Sequence, residues 1–238
     1  FPFRPPASLK ELLALAAIIT LFFALFVPGI SSVRDRSRRI ACATNLGQIG
    51  RALGGYATAN GNALPFVQTT AGGSWLPASK AGLPYSPNSP SRFLLLRLGY
   101  VSQARAYICP SHSDALYLKI VNPQALNDFP DPRNCSYDSL NMAGATPAYT
   151  KLCNLPYMAD ANPLFAGGKF NRIDPSVANS RNHRRGRGQN VLCFNGAVTW
   201  FETPNCGRNQ DNIWQAGTVK VYQGTETQTR DDDTFLTP

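Results

Sequence analysis

The 238-residue sequence holds only two histidines, His112 and His183, and no catalytic motif that would use them. A nucleophile–base pair needs a histidine beside a serine or cysteine and an acid to orient it. The chain has no GxSxG, no HExxH and no recognisable pair of carboxylates, so an enzyme is not expected. His183, flanked by Asn182 and arginines, reads as a loop hydrogen-bonder. None of the six cysteines, Cys42, Cys109, Cys135, Cys153, Cys193 and Cys206, forms a CxxC pair. That argues against a zinc site or a thioredoxin-like motif, and neither metal nor cofactor is expected. The run Asp231–Asp233 lacks the alternate-residue spacing of a calcium loop and reads as a solvated acidic tail. Acidic residues are scarce overall, 14 against 23 basic, for a net charge of +9. The basic ones cluster at Arg34, Arg36, Arg38 and Arg39 and again at Arg181, Arg184, Arg185 and Arg187. Clustering of this kind reads as a solvated face and one loop, and no specific nucleic-acid partner is expected.

What the chain does have is one long apolar run, Leu12 to Ile30, broken only by Thr20 and entered past Glu11. As a helix it would rise about 28 Å, close to the hydrocarbon thickness of a bilayer. A helix apolar on all sides must be surrounded by something apolar, either lipid or other helices. No small-residue cleavage site follows it, so it does not read as a removed secretory signal. Ser8 and Glu11 have the spacing of a capping box. The helix is expected from about Leu9 to about Asn60, with a kink or unwound stretch at Pro28-Gly29. Beyond it Val33, Ile40, Leu46, Ile49 and Leu53 form an apolar stripe at helical spacing, and Asn60-Gly61-Asn62 ends the element.

Two units follow: a helical stalk over 1–60 carrying the apolar segment, and a β-rich head over 61–238. In the head, Leu64 to Ser91 is loop-like with Trp75 and Tyr85 as anchors. A short helix is expected over 91–99, a short strand at Tyr107-Ile108, and irregular loops over 122–163. The strongest local signal is Gln189–Glu202, two strand-like runs around Asn195-Gly196. That pair predicts a two-residue type I′ hairpin in which Val191, Cys193, Val198 and Trp200 share the face toward the long helix.

The stretch SLKELLALAAIITLFFALFVPGISSVRDRSRRIACATNLGQIGRAL resembles the N-terminus of type IV pilins and of the pseudopilins of type II secretion. In that family a glutamate opens an apolar helix and a proline follows about seventeen residues later, as Glu11 and Pro28 do here. Pro6 stands where glycine is usual before the family's cleavage and methylation site. The run NHRRGRGQNVLCFNGAVTWFETPNCGRNQDNIW is similar to the C-terminal signature of pilin-like proteins abundant in planctomycetes. His183, Gly186, Gly188, Asn190, Val191, Leu192, Gly196 and Val198 match it, and Asn195 stands for its aspartate. Cys109-Pro110-Ser111, Ser136-Tyr137 and Ala159–Pro163 also match that family.

The resemblance implies an α+β fold, a long N-terminal helix whose amphipathic half packs on an antiparallel sheet with long loops. It implies a structural pilin, held in the inner membrane before assembly and then part of an extracellular filament, with many copies of itself and the assembly machinery as partners. A pseudopilin of a secretion system and a membrane-anchored enzyme or binding protein are the alternatives. Glu11, Leu12, Leu15, Ile19, Phe22, Phe26, Pro28 and Gly29 would carry assembly. His183, Asn190, Asn195 and Gly196 would hold the head's fold. The positive-inside rule would keep the arginine cluster, and the head with it, in the cytoplasm. The resemblance decides instead for an exported head, where an even number of cysteines suits disulfides. At least two are expected, and Cys42–Cys109, fastening helix to head, is the best single pairing. It would close a loop of roughly 65 residues and contribute about 4 kcal/mol.

Overall fold

The computed structural model describes residues 8–68, 73–76, 87–117, 119–143, 154–183 and 186–238; within the long helix the side chains of residues 25 and 27–29 are not described. Tyr85 and Cys153 lie outside the described residues. The protein is α+β. Helix α1 spans Leu9–Ala59 and α2 spans Ser89–Arg97. The strands are β1 (Tyr137–Leu140), β2 (Pro156–Asp160), β3 (Phe165–Ala166), β4 (Lys169–Phe170), β5 (Gln189–Cys193), β6 (Val198–Phe201) and β7 (Leu236–Thr237). Five of them form one antiparallel sheet in the order β6-β5-β2-β1-β7.

Helix α1 starts as its sequence dictates. The Ser8 N–H donates to Glu11 Oε2 at 2.8 Å, and the Glu11 N–H donates to Ser8 Oγ at 3.4 Å, a reciprocal capping box. It ends at left-handed Gly61 and Asn62, whose N–H returns to the Ala57 carbonyl. The unwinding expected at Pro28-Gly29 is absent: the helix continues through both residues. Proline there forfeits one N–H bond in a 51-residue ladder, and the turns on either side outweigh that loss.

The chain forms two compact units, Phe1–Ser37 and Arg38–Pro238. The boundary therefore falls inside α1, not at the expected position near residue 60. The reason is burial. Cys42, Leu46, Ile49, Ala52, Leu53 and Ala57 belong to the core of the second unit, whereas Val33 and Ile40, placed on the same stripe by the sequence, are exposed. A Cβ on Gly50 would meet Leu192 Cδ1 at 2.7 Å and Gly196 Cα at 3.4 Å, so the bare backbone lets α1 lie close against β5.

The hairpin differs from its expected form. Leu192 pairs with Val198, Val191 with Thr199 and Asn190 with Trp200. The Gly196 N–H donates to the Cys193 carbonyl, the Cys193 N–H to the Ala197 carbonyl, and only Gly196 has positive φ, at 82°. This is a three-residue loop closed by a left-handed glycine, not a type I′ turn. The shift by one residue exchanges faces on β5. Val198 and Trp200 do lie on the helix side, but with Asn190 and Leu192 in place of Val191 and Cys193. Leu192 and Phe194 are fully buried while Cys193 is half-buried; burying the two larger side chains decides the register.

Gly99 closes α2 with φ of 79°, as expected. Tyr107-Ile108 is not a strand. Ala104–Tyr107 is a short 3-10 helix, and the two carbonyls that a strand would pair accept instead from the Ser136 N–H and Asn45 Nδ2. Trp75 is buried as an anchor, edge-on to Phe165 and Phe235, with its Nε1 donating to the Glu226 carbonyl.

Candidate functional site

Two groups of side chains stand out. The first is the surface of α1 before residue 34. Leu12, Leu15, Ile19, Phe22 and Phe26 are each about half exposed, and Leu9, Leu13, Ile18, Leu21, Phe23, Ile30 and Val33 are exposed as well. Thr20, the one hydroxyl in the run, donates to the Ala16 carbonyl at 2.8 Å. Its polarity is thereby spent inside the helix. Glu11 is exposed at the entrance and engaged with Ser8. Among the described residues no helix is long and apolar enough to cross a membrane.

The second group is buried within residues 38–238. The sequence offers no local metal-ligand spacing, yet the fold brings four donors together: the Sγ atoms of Cys42 and Cys109, a carboxylate oxygen of Asp160 and a ring nitrogen of His183, all within 4.8 Å of one another and all buried. No CxxC pair contributes to this cluster; its donors come from four separate segments of the chain. Cys42 comes from α1 and Asp160 from the end of β2. Cys109 opens a turn in which the His112 N–H donates to the Cys109 carbonyl. His183 lies in the loop before β5, with the Gly186 N–H donating to its carbonyl.

Asp160 is the hub. Its Oδ1 accepts from the Cys42 thiol at 2.9 Å and from Asn182 Nδ2 at 3.1 Å. Its Oδ2 lies 3.0 Å from His183 Nε2 and accepts from the Asn190 N–H at 2.7 Å. His183 Nε2 is 3.8 Å from Cys109 Sγ, and the ring stands edge-on to Trp200, over which the Arg39 guanidinium lies at 4.6 Å. Tyr137 donates its hydroxyl to Cys42 Sγ, and the Ser111 N–H points at Cys109 Sγ.

The electrostatics follow from this wiring. Burial opposes charge on Asp160, but the hydrogen bond and positive charge of His183 hold its carboxyl below the usual range. Burial likewise opposes charge on His183; the hydrogen bonds to Asp160 and Cys109 win and push it up to about 10. The hydrogen bond from Cys42 lowers Cys109 against its burial to about 7, while burial and the neighbouring Cys109 and Asp160 push Cys42 well up. Without a metal the cluster is therefore an imidazolium, a carboxylate, one thiol and one thiol near its titration point.

The cysteines correct an expectation. Cys42, Cys109, Cys135, Cys193 and Cys206 are free thiols. The pairing foreseen for Cys42 and Cys109 is right in place, since the two sulfurs are neighbours, but they are unbonded and share the site with a carboxylate and an imidazole. His183 is a loop hydrogen-bonder, as read, and also the partner of Asp160. Asn190 touches Asp160, His183 and the Arg39 carbonyl. Asn195 is exposed in the hairpin loop, where its Oδ1 accepts from the Ala197 N–H. The sequence reading names Cys42 and Cys109 only as a disulfide pair and His183 only as a loop residue, and it gives Asp160 no role in a site. Their signal was present but scattered, in the ACATNL, CPS, ADANP and NHRRGRG segments. No protein-family model, curated protein or solved structure matches the chain.

Next to the cluster, Asp138 on β1 is buried. Burial raises its carboxyl to about 6, against the attraction of Arg92 and the hydrogen bond from the Asn162 N–H. A folded-state value above the unfolded one means stability that is full below about pH 4 and falls as pH rises toward 6. The loss from this group is up to about 3 kcal/mol. Asp138→Asn is expected to flatten that slope, measured as urea midpoints between pH 4 and 7. A slope unchanged in the variant would show that Asp138 is not its source.

Proposed function

We propose that the protein is a structural subunit of a type IV pilin-like filament, polymerising through residues 9–33 of α1. The observation that supports this most directly is the exposure of about a dozen large apolar side chains on that segment in the single chain. The cost of leaving that much hydrocarbon in water is far larger than a folded chain tolerates, at about 25 cal/mol per Å². The segment needs an apolar surrounding: the inner membrane before assembly, then the same segment of neighbouring copies. A heterologous contact repeated without closure gives a filament. The antiparallel head packed on residues 38–59 is the arrangement expected of a pilin, displayed outside the cell, and the head's role is structural. A short secretion pseudopilus uses the same contacts and differs in fibre length.

Glu11 follows from the same reading. A lone carboxylate among packed apolar helices needs a partner, which a basic group or amino terminus of a neighbouring copy provides. Glu11→Ala is expected to leave the head folded and to lower fibre yield at least tenfold in electron micrographs of purified material. Wild-type protein that stays monodisperse overturns the filament reading; normal fibres from the variant overturn only the role of Glu11.

A further inference from the structure

We propose that Cys42 Sγ, Cys109 Sγ, His183 Nε2 and one carboxylate oxygen of Asp160 hold a single zinc ion in a closed structural site that fastens α1 to the sheet and to the loop before β5. The site lies wholly within residues 38–238 and does not depend on the filament reading.

The donor chemistry points to the ion. Two thiolates, an imidazole and a carboxylate are a four-coordinate set for zinc, with expected bond lengths of about 2.3 Å to sulfur and about 2.0–2.1 Å to nitrogen and oxygen. A tetrahedron of that size places sulfur and nitrogen about 3.5 Å apart, and nitrogen and oxygen about 3.3 Å apart. The observed separations are 3.8 Å for Cys109 Sγ to His183 Nε2, 3.0 Å for His183 Nε2 to Asp160 Oδ2 and 2.9 Å for Cys42 Sγ to Asp160 Oδ1. The two short contacts involve different oxygens of Asp160, either of which can serve as the ligand, and all four donors already lie within 4.8 Å of one another. To admit an ion the Cys42–Asp160 contact must open by about 0.6 Å, within reach of side-chain rotation.

The surroundings support the ligands from behind, as metal sites require. The Tyr137 hydroxyl and the Ser111 N–H each donate to one sulfur, which favours the thiolate form. The Asn190 N–H and Asn182 Nδ2 hold the two oxygens of Asp160 in fixed directions. Trp200 fixes the ring plane of His183, and Arg39 above it sets a positive charge near a bound site of net charge −1. Four protein donors, all buried, complete the shell. That is the pattern of a structural ion, not of a catalytic one with an open position. The four ligands come from segments far apart in the chain, so binding would contribute to folding itself. Zinc and a Cys42–Cys109 disulfide exclude each other, because the disulfide consumes both thiolates.

The test uses the full chain purified in detergent after expression in zinc-supplemented medium. Elemental analysis is expected to give one zinc per chain. Replacement by cobalt(II) in the same wild-type protein is expected to give thiolate-to-cobalt charge-transfer absorption and the intense visible bands of a tetrahedral site. Cys42→Ser and His183→Ala should each lower bound zinc at least tenfold, whereas Cys206→Ser should retain one ion. Zinc-free protein whose mass spectrum shows Cys42 joined to Cys109 overturns the proposal. So does cobalt bound without the thiolate band, which needs no variant to fold.

Discussion

Asp160→Ala is expected to cost about 3–5 kcal/mol in metal-free protein, the range for removing one member of a buried ion pair. Two effects add. His183 is left beside Cys109 without the carboxylate that makes its charge tolerable. The buried Asn190 N–H loses its acceptor, at about 1–3 kcal/mol for a group left unsatisfied, and Asn182 Nδ2 keeps only the Ser136 carbonyl. In a domain of this size the midpoint of thermal unfolding should fall by about 10 °C or more. Asp160→Asn keeps the shape and one acceptor oxygen and should lose less.

The difference between wild type and Asp160→Ala should itself depend on pH. Asp160 titrates below its unfolded value, so its contribution is present above about pH 4 and lost as pH falls through the folded value. His183 titrates above its unfolded value, so its contribution is present below about pH 6.5 and lost as pH rises toward 10. The gap should be widest between about pH 4 and 6.5 and shrink at both ends. Chemical denaturation with a chelator present measures it. A gap that is flat from pH 5 to 10 would rule out the charged pair.

Gly188→Ala is the second large effect. Gly188 has φ of 157°, and a Cβ there would collide with the backbone carbonyl of Phe201 and meet the Trp200 ring at 2.7 Å. Neither neighbour can yield cheaply: the carbonyl is on β6, and Trp200 supports His183. Backbone strain of about 1–3 kcal/mol and overpacking of about 1–3 kcal/mol fall on the same residue. The head should lose about 2–6 kcal/mol on those two ranges together. Gly196→Ala is the matched control. Gly196 also has positive φ, but a Cβ there meets nothing within 4 Å. Only conformational strain acts, and about 1 kcal/mol is expected. Equal losses from the two variants, measured as urea midpoints, would show that the close approach at Gly188 is not what the glycine serves.

Both positions show how far the sequence reaches. The capping box at Ser8 and Glu11, the stop at Gly61-Asn62, the end of α2 at Gly99 and the existence of the β5–β6 hairpin were legible, because each depends on residues within a few positions of one another. So was the apolar run, whose demand for apolar surroundings is a property of its composition alone. The hairpin register was not legible. Asn195-Gly196 is compatible with two loop lengths, and burial of Leu192 and Phe194 against residues far away in the chain chose between them. The place where α1 joins the head was hidden for the same reason. Val33 and Ile40 carry the same helical period as Leu46 and Ile49, and only the sheet's position separates exposed from buried. The Cys42–Cys109–Asp160–His183 cluster is the extreme case. Each residue is a single letter in its own segment with no partner nearby in sequence. The pairing of β1, β2 and β5 beneath α1 makes four such letters into one site.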